Sequence, residues 1–381
     1  MFSENQKISA GQLRALLLTD WMGKLLLLLP QMMGKQSSGN VIAGILAGTL
    51  LAAAAGWMAA ETVQGRRQNY YGRLKDRAGR RAADFIFMIL IIYLLGQSSL
   101  FFYLCGQIAG TYLLPEVNKA ILLLVPALLA YYLARSGLEV RGRVSEITAF
   151  FLWGLFFLML VMALFQIHPD RLEESGGKLD SGFLKAGAYT VFAGFGTVGL
   201  LPLALPQVTV SEEHGGRRRK HNQRNTFILQ KKIAEAILMS GLLLLLVEVC
   251  SYGIFGRKGM TALRWPVIAL MSSTNLQGVF LQRWDILLIG FLVFCLFLSA
   301  GTGIYYLGAA GRTLGMKESP FLAVGTGLSW LLAYWMEKNP GVIYWQRNIL
   351  FLVCAPILMG TAVLQALLEK REEALWKRKE R

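Results

Sequence analysis

The chain has 381 residues, 55% of them hydrophobic and only 16% charged, with a formal net charge of +16. A soluble domain carries about 25% charged residues, so this balance excludes an ordinary soluble globular protein. The charge is also unevenly spread: 85–115, 186–211 and 286–311 contain no Asp, Glu, Lys or Arg. About 20 apolar residues suffice to cross a bilayer as a helix, and the chain reads as an all-α polytopic membrane protein.

Ten spans are predicted, near 13–33, 41–63, 83–109, 119–137, 147–165, 187–206, 233–255, 286–309, 320–336 and 349–368. Run length argues for helices rather than a barrel, whose strands need only about 9–11 alternating residues. The third run is long enough to require tilt, and the fourth is short, bracketed by Lys119 and Arg135. With the N-terminus inside, the inner segments hold more than twice the Lys and Arg of the outer loops. The positive-inside rule therefore places both termini in the cytoplasm. The whole chain, 1–381, reads as one transmembrane domain: a first repeat 13–165, a second repeat 187–368 and a basic cytoplasmic tail 369–381. No cleavable signal peptide is evident, because Arg14, Asp20 and Lys24 interrupt the first apolar run. The basic stretch 216–224, "GRRRKHNQR", suits a cytoplasmic loop beside anionic membrane lipid better than a nucleic-acid site.

The first span reads "LLLTDWMGKLLLLLP" from Leu16 to Pro30. Charges at membrane depth are costly and want a reason. Asp20 and Lys24, four apart, could form a mutual ion pair or snorkel. Alternatively, Gly23 marks a helix break and both charges face a cavity. In the third span Tyr93 and Gln97 share one helix face, as interhelical glue or as ligand contacts. The sixth span contains "FAGFGTVGLLP", 192–202, with Gly194, Gly196 and Gly199 in a G-x-G-x-x-G pattern. A dinucleotide fingerprint needs a strand before it, a helix after it and an acid about 20 positions on; this segment lies in mid-membrane, and the acids at that distance, Glu212 and Glu213, sit beside a basic loop. Glycines and the prolines at 202 and 206 weaken a helix, so 193–196 is a candidate unwound segment. Close helix packing on a glycine face is the competing reading. Interruptions at corresponding places in two five-helix halves point to an inverted-repeat fold with a midplane site. Glu248, a lone acid in the seventh span, is a candidate proton-coupling group or a helix anchor. The four cysteines form no metal pattern, the three histidines lie in loops, and no catalytic constellation, metal site or cofactor motif appears. An enzyme is not expected.

The stretch from Leu263 to Phe297, with Trp265, Pro266, Leu270, Met271, Gly278, Phe280, Leu281, Arg283 and Asp285, resembles the B subunits of spore germinant receptors, the spore germination permease family. The opening "ISAGQLRALLL", followed by Gly23 and Pro30, also resembles that family's start. Gln277 and Gln282 depart from the usual Pro and Glu. The resemblance implies kinship with the amino acid–polyamine–organocation transporter superfamily and its five-plus-five inverted repeat with broken helices 1 and 6. It implies a subunit in the inner membrane of the spore that senses a small nutrient such as an amino acid. Its partners would be a membrane-anchored A subunit and a lipoprotein C subunit. It also implies a ligand pocket among spans one, three, six and eight. The candidates there are Asp20, Gly23, Lys24, Tyr93, Gln97, Phe192, Gly194, Phe195, Gly196, Thr197, Phe294, Ser299 and Thr302. Trp265, Arg283 and Asp285 would form an outer gate or a packed cap. A proton-coupled amino-acid transporter using Asp20 or Glu248, and a structural subunit with a vestigial pocket, are the alternatives.

Overall fold

The computed structural model describes residues 7–61, 69–175, 178–209, 218–273 and 284–379. The first half holds α1 (Ala10–Met33), α2 (Ser38–Ala60), α3 (Tyr70–Ala78), α4 (Arg80–Ile108), α5 (Lys119–Arg135) and α6 (Gly137–Leu164). A short α7 (Pro169–Ser175) leads to α8 (Ser181–Ala188), which opens the sixth long segment. That segment continues as a π-helical turn (Tyr189–Gly194), a 3-10 turn (Gly196–Leu200), α9 (Leu201–Ala204) and a closing 3-10 turn (Leu205–Gln207). Beyond it come α10 (Arg218–Ala262), α11 (Pro266–Ser273), α12 (Trp284–Thr313), α13 (Glu318–Lys338), α14 (Pro340–Asn348) and, after a π turn at Ile349–Cys354, α15 (Ala355–Lys379).

Among the described residues, seven helical segments are long and apolar enough to cross a membrane. The chain is thus an integral membrane protein. Length and composition support seven of the ten expected crossings. Of the other three, α1 carries Asp20 and Lys24 in its middle, α5 has only 17 residues, and α13 is diluted by Gly, Ser and aromatic residues. The third segment, Arg80–Leu113, has 34 residues, about 51 Å of helix against a hydrocarbon core of about 30 Å.

Packing follows the five-plus-five symmetry. α2 packs on its counterpart α10, and α4 on its counterpart α12. α1 packs on α6 as the sixth segment packs on α15; α5 meets α12 as α13 meets α4. Exchanging the halves maps each pairing onto another, as an inverted repeat requires. A two-residue parallel ladder, β1 (Ile8–Ser9) with β2 (Val208–Thr209), ties the start of α1 to the end of the sixth segment. Ser9 also closes a capping box: its Oγ accepts from the Gln12 N–H, and Gln12 Oε1 accepts from the Ser9 N–H, both at 3.1 Å.

Two expectations need correction. Helix 1 is not broken: α1 runs unbroken through Gly23. A single glycine in a helix costs only about 1 kcal/mol relative to alanine, and here it serves packing. A Cβ at Gly23 would stand 2.8 Å from Leu296 Cδ2 of α12, so its absence lets the two helices approach. The fifth helix starts at Gly137 rather than near 147, taking Arg141 out of the expected loop and into the protein. The sixth segment is interrupted as expected. Its winding changes from π to 3-10 at Phe195 (φ −104°, ψ 13°). The change is one of pitch rather than a gap, since the Phe195 N–H still bonds Thr190 O and the Val198 N–H bonds Phe195 O.

Candidate functional site

The unbroken α1 carries its polar residues into the centre of the bundle. Asp20 and Lys24 are buried, Lys24 to 1% exposure. Among the described residues they form no ion pair with each other, which removes mutual pairing as the reason for their presence. Lys24 Nζ instead donates to Thr197 Oγ1 at 3.2 Å, and Trp21 Nε1 donates to the same oxygen at 2.6 Å. Thr197 stands in the 3-10 turn just after the change of pitch. Trp21 also packs edge-on against Phe195, with ring centroids 5.2 Å apart. Helix 1 therefore grips the irregular part of the sixth segment through one hydroxyl and one aromatic pair.

Asp20 is held from α12. Thr302 Oγ1 donates to Asp20 Oδ1 at 2.8 Å, and Ser299 Oγ lies 3.1 Å from the Asp20 main-chain oxygen and 2.8 Å from Cys295 O. The Thr302 hydroxyl also accepts from Arg141 of α6. The Arg141 guanidinium is buried and lies over the rings of Tyr305 and Tyr306, 4.8 and 5.9 Å from their centroids. Its Nε and Nη1 have no hydrogen-bond partner. The centre thus holds two buried cations, Lys24 and Arg141, and one buried carboxylate, Asp20.

Around Asp20 lies a hollow of about 20 Å³, the space of a single water molecule. Its polar wall is Asp20, Gln97, Thr197, Ser299 and Thr302, and Leu201 and Tyr306 are among its apolar lining. Gln97 Oε1 is buried with no partner. Helices α1, α4 and α12 and the sixth segment all contribute to its lining, the four elements among which the resemblance implies a pocket. Other candidates serve elsewhere. The Tyr93 hydroxyl is buried and unpartnered outside the hollow, 3.3 Å from where a Gly196 Cβ would stand. Phe192 is half-buried against the core, and Phe294 packs on Phe297 at 4.7 Å. The three glycines are contact points: Gly194 against Leu25, Gly196 against Ala355, and Gly199 against the Leu358–Met359 backbone. Both readings of that motif therefore hold together, a change of winding and close packing.

Glu248 is fully buried, and neither of its carboxylate oxygens has a hydrogen-bond partner. It does not line the hollow. Trp265 is buried with Arg264 stacked over its ring at 5.5 Å; Asp285 is buried, its Oδ1 unpartnered. Arg283 lies outside the described residues. Sequence reasoning missed Trp21, Arg141 and Tyr306. Arg141 sits between Arg135 and Arg143 in a charge-rich stretch that resembles a loop. Its one signal was helical spacing: Gly137, Leu138, Arg141, Gly142 and Ser145 recur on one face, all buried.

A family model described as "Spore germination protein" matches residues 7–208 and 221–341. No curated protein matches in sequence. Among solved structures, a nucleobase–cation–symport-1 family transporter, Mhp1, in a closed conformation with bromovinylhydantoin bound, superposes with a TM-score of 0.68 at 12% identity. The match covers 100% of this chain and 96% of that one. A Na+-coupled sialic acid symporter in a substrate-bound, outward-open state superposes with a TM-score of 0.65 at 12% identity, over 92% of this chain and 77% of that one. At such identity the likeness is one of fold, and it is the fold of inverted-repeat transporters.

Proposed function

The chain belongs to the spore germination protein family, and we propose that it binds a small nutrient, an amino acid or a molecule of that kind, at the central hollow. The observation that carries this reading is the charge imbalance beside it, where Lys24 and Arg141 bond the lining hydroxyls of Thr197 and Thr302 without lining the hollow themselves. Lys24 and Arg141 outnumber Asp20, and a buried charge is stable only when paired and hydrogen-bonded. A ligand carboxylate would complete the set beside Lys24 and Thr197. Asp20 and the unpartnered Gln97 Oε1 would accept from a ligand ammonium.

As it stands the hollow admits a water and no more. An amino acid enters only if the wall moves, and the segment around Phe195, where winding changes twice within a few residues, is the part of the wall least like a rigid rod. A ligand that favours the widened arrangement shifts the equilibrium by its differential affinity for the two states. Passed to a membrane-anchored A subunit and a lipoprotein C subunit in the inner spore membrane, with both termini of this chain cytoplasmic, that shift would be a germination signal.

A proton-coupled amino-acid transporter is the second reading, favoured by Glu248, a membrane-buried acid with no partner to explain it. Reconstitution separates the two. A sensor binds labelled amino acid saturably in proteoliposomes without net uptake, and the A and C subunits co-purify with it. Uptake abolished by Asp20→Asn or Glu248→Gln would replace the sensor with the transporter. Wild-type germination in a strain whose chain binds nothing would leave only a structural subunit.

A further inference from the structure

At the face opposite the N-terminus, a second cavity of about 140 Å³ opens between the C-terminal end of α1, α4, the turn before α11, and α14. It shares no lining residue with the central hollow. Leu28 lines this cavity and Asp20 lines the hollow, so about 12 Å of helix rise separates them.

Two guanidinium groups converge on it. Arg264 donates to the Tyr103 hydroxyl at 3.2 Å and to Gln107 Oε1 at 2.9 Å; Arg347 donates to Gln31 Oε1 at 3.2 Å. All three acceptors are neutral. Among the described residues, no carboxylate lies within 4.0 Å of either arginine. Glu337, in the same network, is engaged by Lys119 at 2.6 Å and by Gln107. Trp265 and Tyr344 supply apolar wall.

A guanidinium presents five donors in a planar fork that suits a carboxylate. Each of these two spends only part of that fork on neutral oxygens. Like charges facing one cavity repel each other, and an anion between them relieves the repulsion. With no acid in the wall, an ammonium group has nothing to meet. We propose that this cavity is a separate binding site for a small monocarboxylate with an apolar body, its carboxylate between Arg264 and Arg347 and its hydrocarbon against Trp265 and Tyr344. The site does not depend on what the central hollow binds.

The test uses the full chain in lipid nanodiscs and radiolabelled 4-methylpentanoate in equilibrium dialysis. Saturable binding is expected, with unlabelled acid competing and 4-methylpentanamide failing to compete. Arg264→Gln and Arg347→Gln should each weaken binding at least roughly tenfold, as loss of a charge-assisted pair implies. Ile343→Trp, which fills the cavity, should abolish it, and Leu201→Trp in the central hollow should leave it unchanged. Each variant is checked for a monodisperse elution profile first. Absence of saturable binding to the folded wild type overturns the proposal. So does equal competition by the amide or by inorganic phosphate, or wild-type affinity in both glutamine variants.

Discussion

Thr302→Val tests the hydrogen bonds at the centre most selectively. Valine keeps the side-chain shape and removes the one hydroxyl that joins α1, α6 and α12. That hydroxyl donates to Asp20 Oδ1 at 2.8 Å and accepts from Arg141, and all three residues are buried. A hydrogen bond to a charged group contributes about 1.5–3 kcal/mol, and an orphaned buried partner costs at least as much. Two such bonds are lost together, with Leu298 O as the hydroxyl's other acceptor at 3.2 Å. The expected destabilisation is about 3–6 kcal/mol. Asp20→Ala removes one of the partners, so the double variant should fall short of the sum by about 1–2 kcal/mol. The assay is reversible unfolding in mixed micelles, followed by helicity, for the four proteins of the cycle. If Thr302→Val unfolds like the wild type, or if the two changes add, the hydroxyl does not join these helices and the reasoning fails.

Other outcomes follow from single contacts. Gly199→Ala places a Cβ 2.8 and 2.9 Å from main-chain atoms of Leu358 and Met359, whereas Gly194→Ala meets the tip of Leu25. Overpacking against backbone should cost about 1–3 kcal/mol at Gly199 and distinctly less at Gly194, so the melting temperatures of the two variants should rank in that order; the reverse order would contradict the packing. Trp21→Phe keeps the aromatic contact with Phe195 and deletes the 2.6 Å bond to Thr197. A loss of about 1 kcal/mol in the same unfolding assay is expected, and no change would mean that bond does not contribute. Glu369 pairs with Arg73 at 3.3 Å, both side chains 5% exposed, and holds α3 to the middle of α15. Glu369→Gln should cost about 3 kcal/mol and speed tryptic cleavage at Lys75 and Arg77; unchanged cleavage would show that the pair does not hold α3 in place.

Much of the fold was legible because membrane helices announce themselves as charge-free runs, and because glycine and proline together mark where the sixth segment changes pitch. Asp20 and Gln97 were legible as polar side chains placed where water is absent, whereas Thr197, Ser299 and Thr302 entered only through the resemblance to the family. Helix 1 was misread for a physical reason. Glycine weakens a helix only slightly, and whether a given glycine breaks the chain or lets a neighbour approach depends on the partner, here Leu296. Arg141 was hidden by its setting, since a basic residue among other basic residues reads as an orienting loop. Its bond to Thr302 and its stacking on Tyr305 and Tyr306, more than 160 positions away, reveal it as part of the centre. Trp21 carries no charge to mark it, and its partner Thr197 comes from the other half of the molecule. Contacts between the two halves were the part that periodicity could not supply.

Binding of labelled amino acids to the purified chain, measured for the wild type beside Leu201→Trp and Arg264→Gln, bears most directly on the central hollow. Leu201 lines the hollow and Arg264 lines the distant cavity. Saturable binding that is lost in Leu201→Trp and retained in Arg264→Gln is the result expected. Binding that survives a filled hollow, in a variant that elutes and melts like the wild type, would place the nutrient elsewhere and contradict the assignment.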